Sequence, residues 1–165
     1  IDYFIESCSV LAERYPELKD ELGIVVYGKD SEQLKPLVPF QVYPLNYISN
    51  EKELIDVYNS VDLFVTPSLE ENLPNTIMEA MACGIPCVGF QVGGIPEMID
   101  HLHNGYVAEY KSVEDFANGI HWILNEGEYK TLSEEACRKV SSSYSESAIA
   151  KRYIEVYNKV TGSNE

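Results

Sequence analysis

Residues 61–90 read VDLFVTPSLEENLPNTIMEAMACGIPCVGF, and the succession of textures in this stretch decides the fold. The apolar run VDLFVTP closes at Pro67 and reads as a strand over 62–66. A polar loop, SLEENLPN, follows. Pro74 suits the first position of a helix, where its missing N–H would have no partner anyway, so a helix is predicted over 74–83. Ile77, Met78, Met81 and Ile85 take its core-facing side. The next run, PCVGF at 86–90, is a second strand. Strand, helix and strand, with both strands continuously apolar, describe a parallel pair buried on both faces.

The same alternation extends in both directions. Upstream, GIVVYG (23–28) and FQVYPL (40–45) read as strands, and EKELIDVYNS (51–60) as a helix. Phe4, Cys8, Leu11 and Tyr15 recur at helical spacing, so residues 2–15 are an amphipathic helix ended by Pro16. Downstream come the loop QVGG, a short helix at IPEMID (95–100) and a fifth strand, GYVAEY (105–110). SVED at 112–115 resembles a capping box opening a helix with Phe116, Ile120, Ile123 and Leu124 on one face. Helices around 128–143 and 146–160 close the chain, the last carrying Ile149, Tyr153, Val156, Tyr157 and Val160. Five alternations predict a doubly wound, Rossmann-like α/β domain, a parallel sheet with helices on both faces. Such domains normally open with a strand, whereas this chain opens with a helix. The first strand is therefore expected upstream in a longer protein. Residues 1–165 are read as one domain, with a disordered tail over 161–165.

Composition sets the outer bounds. The chain has 165 residues, 45% of them apolar, enough for one globular core. No apolar run reaches the roughly 18 residues needed to span a bilayer, so membrane insertion by this domain is not expected. The net charge of −15 argues against nucleic acid and anionic lipid as partners. Cys8, Cys83, Cys87 and Cys137 are scattered and are read as reduced packing residues of a cytoplasmic protein. His101 and His103 flank a turn and are read as loop polarity; no metal or cofactor is expected. Between Val61 and Asp100 there is no Lys or Arg, against six acids: Asp62, Glu70, Glu71, Glu79, Glu97 and Asp100. A phosphate bound here would need backbone N–H groups or a cation from elsewhere.

In open α/β sheets a ligand lies beyond the carboxyl ends of the strands. The loop before Pro74 stands at such an edge and offers the positive end of a helix. Glu71 is in that loop. Glu79 shares a helix face with Asn75 and Thr76, opposite the core side. A carboxylate there can take two charge-assisted hydrogen bonds from the vicinal hydroxyls of a sugar. On spacing alone, Glu79 equally fits the solvent stripe of an amphipathic helix.

The run SLEENLPNTIMEAMACGIPCVGFQVGGIPEMI (68–99) resembles the signature of family 4 retaining glycosyltransferases, in the C-terminal, nucleotide-sugar-binding half of the GT-B fold. The matching features are Glu71, then Glu79 followed by AMACGIP, then Gly93, Gly94 and Glu97, then Asn104 and Gly105. The resemblance spans roughly 24–124 and is most specific over 61–110. It implies a retaining hexosyltransferase of polysaccharide or glycoconjugate assembly, using a nucleotide diphosphate sugar. Glu79 would hold the ribose hydroxyls and Glu71 would lie against the transferred sugar. The backbone of Asn72, Leu73, Pro74, Asn75 and Thr76 would face sugar and diphosphate. Gly28 and Lys29, and the backbone around Tyr43 and Leu45, would lie near the nucleotide. Many family members have Glu-Gly-Phe-Gly where this chain has ENLP, which alters the sugar-side contacts. The basic clamp on the diphosphate and the N-terminal acceptor domain are expected outside this chain, so the chain alone is expected to be inactive. Lys29 also fits a plain surface lysine. A nucleotide-sugar epimerase of the same fold and a non-catalytic nucleotide- or sugar-binding module are the alternative readings.

Overall fold

The computed structural model describes residues 1–45 and 47–162. Its elements run α1 (Asp2–Arg14), α2 (Leu18–Glu21), β1 (Gly23–Tyr27), a 3-10 helix (Ser31–Leu37), β2 (Gln41–Leu45) and α3 (Glu51–Tyr58). They continue with β3 (Phe64–Thr66), α4 (Asn75–Ala82), β4 (Cys87–Phe90), α5 (Ile95–Met98), β5 (Gly105–Ala108), α6 (Val113–His121), a π-helical turn (Trp122–Glu126), α7 (Tyr129–Ser143) and α8 (Glu146–Thr161). All five expected strands form, and every ladder between them is parallel. The domain is a Rossmann-like α/β fold.

The ladders do not join into the single expected sheet. β1 pairs with β2, and β3, β4 and β5 pair in that order, leaving two separate sheets among the described residues. β4, at the centre of the larger sheet, shows why the strands read as continuously apolar. Its Val88 and Phe90 enter one buried cluster with Phe4, Leu11 and Phe116. Its Cys87 enters the other, with Ile77, Met81, Met98 and Ala136. Helices α1 and α6 cover the first face, and α4 and α7 the second. A strand with apolar packing on both sides has no polar face to alternate with.

Several boundaries shift for local reasons. β3 is shorter than expected because Pro86 has no N–H to donate, so the ladder starts at the Phe64–Cys87 pair. Pro74 is the residue before α4 rather than its first residue; its ψ of 118° is extended. Ser112 caps α6 by accepting from the Asp115 N–H. The Asp115 carboxylate does not complete a capping box; it accepts from the Glu109 N–H at 2.7 Å and the Tyr106 hydroxyl at 2.8 Å. Burial first, and this carboxylate second, push the Tyr106 phenol up to about 12. The 3-10 helix and α2 were not expected; Pro36 lies inside the former and conceals its helical character.

The chain's end departs most. α8 has no buried residue, and Tyr153, Val156, Tyr157 and Val160 are exposed. Its apolar stripe does not reach either core cluster. Thr161 belongs to this helix and Gly162 caps it in the left-handed conformation; residues 163–165, the rest of the expected tail, lie outside the described residues. Among the described residues all four cysteines are free. Cys8 and Cys87 are buried, Cys83 is half-buried, and Cys137 is exposed on α7 rather than packed. No helix among the described residues is long and apolar enough to cross a membrane.

Candidate functional site

β1 and β3 are the facing edge strands, and the chain winds outward from them in opposite senses: β1 to β2, and β3 through β4 to β5. That is the topological switch point, and ligands of open α/β folds bind beyond the carboxyl ends of strands there. Two loops meet at this edge. One is Gly28–Asp30, following β1; the other is Pro67–Pro74, between β3 and α4.

The first loop turns on backbone that side chains resist. Gly28 has φ 113° and Asp30 φ 67°, and a φ of 113° is tolerated only by glycine. Lys29 is exposed and makes no ion pair among the described residues. Ser31 then donates its hydroxyl to the Leu45 carbonyl at 2.8 Å, which ties this loop to the end of β2. Asn46, next to Leu45 in the stretch expected near a nucleotide, lies outside the described residues.

The second loop is held by glycines. The Gly94 N–H donates to the Asn72 carbonyl at 2.6 Å. A Cβ at Gly93 would fall on the Glu71 carbonyl oxygen, and one at Gly94 on that of Asn72. The QVGG turn after β4 therefore serves as a bed for the backbone of Glu71 and Asn72. Leu73 packs into the core cluster beneath α4, and Pro74 is buried. These two side chains anchor the loop rather than face a ligand. Asn72 and Asn75 are exposed, and Glu71 and Thr76 are half-buried. The Glu71 carboxylate has no hydrogen-bond or ion-pair partner among the described residues. The N–H groups of Asn75 and Thr76 have none either, at the positive end of α4.

Glu79 lies on the open face of α4 and is exposed, as its place opposite the core side implies. It is nevertheless held. The Tyr58 hydroxyl donates to Glu79 Oε2 at 3.0 Å and lies 3.4 Å from the Tyr27 hydroxyl. Tyr58 is the last residue of α3 and 2% exposed. Burial, then Tyr27, then the Glu79 carboxylate raise its pKa, which keeps it a neutral donor across ordinary pH. The Tyr27–Tyr58–Glu79 chain links the end of β1 to α4, the elements beside the two loops. Sequence reading missed Tyr58, because a tyrosine ending an amphipathic helix looks like any other core aromatic. Tyr58→Phe is expected to lower the stability of the protein by about 1 kcal/mol, checked by the shift in a urea unfolding midpoint, with helix content unchanged.

The other expected residues are placed less directly. Tyr43 is mid-strand in β2, opposite Val25, and its ring lies over Gly23. That is toward the amino end of β1, away from the crevice. The three histidines also lie elsewhere. His101 and His103 precede β5, at the opposite edge, where His101 Nδ1 accepts the Val107 N–H at 3.1 Å. His121 stacks on Tyr15. No group of three potential metal ligands occurs among the described residues.

The model of the family described as glycosyl transferases group 1 matches residues 1–126. An uncharacterized glycosyltransferase of Haemophilus influenzae is 30% identical over 146 residues, covering 87% of this chain and 41% of that protein. A sulfoquinovosyl transferase of Arabidopsis thaliana is 33% identical, covering 87% of this chain and 28% of that protein. Among solved structures, the HepE protein of Anabaena in complex with UDP superposes with a TM-score of 0.72 at 21% identity, over 92% of this chain and 44% of that one. This chain belongs to the group 1 glycosyltransferase family. Its structural neighbours are GT-B glycosyltransferases, and it spans about two-fifths of the length of the first curated relatives it matches.

Proposed function

We propose that the protein containing this chain is a nucleotide-sugar-dependent glycosyltransferase of the family 4 type, and that this chain is its donor-binding, C-terminal half. In this reading a hexose-type sugar passes from a nucleotide diphosphate to an acceptor with retention of anomeric configuration, in polysaccharide or glycoconjugate assembly. The reaction takes place in the cytoplasm, without a resident metal or cofactor.

The observation that carries the reading is the pair of acids at one switch-point crevice. Glu79 is aimed outward by Tyr58, and Glu71 is free above the N-terminus of α4. Glu79 takes two hydroxyls of the ribose, while the amides of Asn72 to Thr76 face the sugar and diphosphate. Glu71 stands nearest the transferred sugar and stabilises positive charge as the diphosphate departs. The Gly28–Lys29 turn and the backbone at Leu45 border the nucleotide. The leaving diphosphate meets only backbone dipoles and Lys29 on this chain. Further counter-charge and the acceptor site therefore come from the rest of the protein, and the chain alone is inactive. HepE, a structural neighbour, was solved with UDP and with UDP-glucose, which supports a donor of this chemistry. An epimerase would need a histidine in the cleft, and all three histidines lie at the other edge.

Glu79→Gln in the full-length protein tests the reading. Hydrogen bonds to a charged group are worth about 1.5–3 kcal/mol, so nucleotide affinity is expected to fall about 10- to 100-fold, with unfolding unchanged. Calorimetric titration with uridine and guanosine diphosphates measures it. Unaltered affinity would return Glu79 to the solvent stripe of its helix.

A further inference from the structure

We propose that Cys83 and Cys137 form a redox-active thiol pair: a peroxide oxidises Cys137, and Cys83 then closes a disulfide that fastens the end of α4 to α7. Cys83 follows the last residue of α4, and Cys137 lies within α7. The Cys137 thiol donates to the Ala82 carbonyl at 3.7 Å, and its sulfur lies 3.4 Å from where a Cβ on Gly84 would stand. Ala82 and Gly84 are the two chain neighbours of Cys83, so the Cys137 sulfur lies over the turn that carries the Cys83 side chain. A disulfide spans Cβ atoms about 3.5–4.5 Å apart, and a sulfur seated against both neighbours of Cys83 is placed to meet it by side-chain rotation. The turn itself is fixed. The Gly84 and Ile85 N–H groups donate back to the Met81 and Ala80 carbonyls, and the Ser133 hydroxyl, one turn before Cys137, stands 2.7 Å from the same Cβ position on Gly84. The face of α7 is therefore held against the end of α4.

The four cysteines differ in what can reach them. Cys8 and Cys87 are sealed in the two core clusters, where burial pushes Cys8 up to about 12 and raises Cys87 as well. Thiols held protonated in that way are inert. Cys137 is exposed and Cys83 half-buried. Burial first, then Cys137, then Glu79 raise the Cys83 thiol. That makes Cys83 the poorer first nucleophile, so Cys137 meets the oxidant and Cys83 takes the second step. The Cys137 thiolate attacks one oxygen of hydrogen peroxide, the O–O bond breaks, and the departing hydroxide leaves as water with the proton the thiol released. Cys137 is then a sulfenic acid. The Cys83 sulfur attacks Cys137 Sγ, the S–O bond breaks, and hydroxide leaves with the Cys83 proton as a second water. Each sulfur has lost one electron and the peroxide has gained two. A disulfide made in this transient way is compatible with a reducing compartment, where permanent ones are rare. The link falls one turn beyond Glu79, whose carbonyl accepts the Cys83 N–H at 3.2 Å, so oxidation pins the helix that carries this carboxylate.

Treatment of the full-length protein with hydrogen peroxide, then thiol blocking, digestion and mass spectrometry, tests this independently of the donor reading. A peptide pair joined through Cys83 and Cys137 is expected, lighter than its parts by two hydrogen atoms and lost on reduction. Fragmentation between Cys83 and Cys87 assigns the linkage. In Cys83→Ser the pair cannot close, and dimedone is expected to trap Cys137 as the sulfenic acid. In Cys137→Ser, Cys83 is expected to stay a free thiol. Peroxide that leaves the unsubstituted protein without the joined pair overturns the proposal, whether Cys137 stays a thiol or stops at the sulfenic acid, and this arm needs no variant to fold. A link from Cys137 to any other cysteine, or between two molecules, overturns it as well. Trapping of Cys83 in Cys137→Ser, with none of Cys137 in Cys83→Ser, overturns the assigned order of attack.

Discussion

Glu71→Ala in the full-length protein is expected to lower kcat by about 100-fold or more, while leaving nucleotide affinity within a few-fold of its original value. The carboxylate is half-buried in the loop after β3, has no partner among the described residues, and stands before the N-terminus of α4. In the proposed reading it lies on the sugar side, whereas Glu79 lies further along the helix. A charge that matters chiefly as the glycosidic bond breaks is felt in turnover rather than in binding. Steady-state kinetics paired with titration of the product nucleotide separates the two. Full turnover with weakened nucleotide binding would exchange the roles of the two glutamates.

Gly94→Ala is expected to remove about 1–3 kcal/mol of stability through overpacking and to reduce activity about 100-fold. The added methyl meets the backbone carbonyl of Asn72, which cannot rotate away as a side-chain end could. It also disturbs the Gly94 N–H bond to that same carbonyl. The loop must lift at Asn72, next to Glu71, and a misplacement of about 1 Å in a reacting group can cost about 100-fold in rate. Gly93→Ala adds strain, since its φ of 54° disfavours any side chain. Thermal unfolding and turnover of both variants check the argument. A Gly94→Ala protein with full activity would mean that the loop is free of the QVGG turn during catalysis. Gly162→Ala is the control: its φ of 70° strains the end of α8, but nothing lies within 4 Å and no loop of the site is near it in the chain, so activity should be unchanged.

The order of strands and helices was legible in the sequence because burial on both faces leaves a continuous apolar run, as in CVGF of β4, and because helices keep their 3.6-residue period. The loop carrying Glu71 and the helix carrying Glu79 were legible too, from Pro67, Pro74 and the family signature between them. That the apolar stripe of α8 is exposed was not legible, since periodicity shows that a helix has an apolar face and not what lies opposite it. Nor could spacing show that Tyr58, 21 residues before Glu79, donates to it, or that Gly93 and Gly94 support Glu71 and Asn72. The division into two sheets likewise emerged only from the ladders. Local patterns follow from each segment's own backbone and burial. Partners far apart in the chain are set by how the layers pack, and that only the tertiary structure decided.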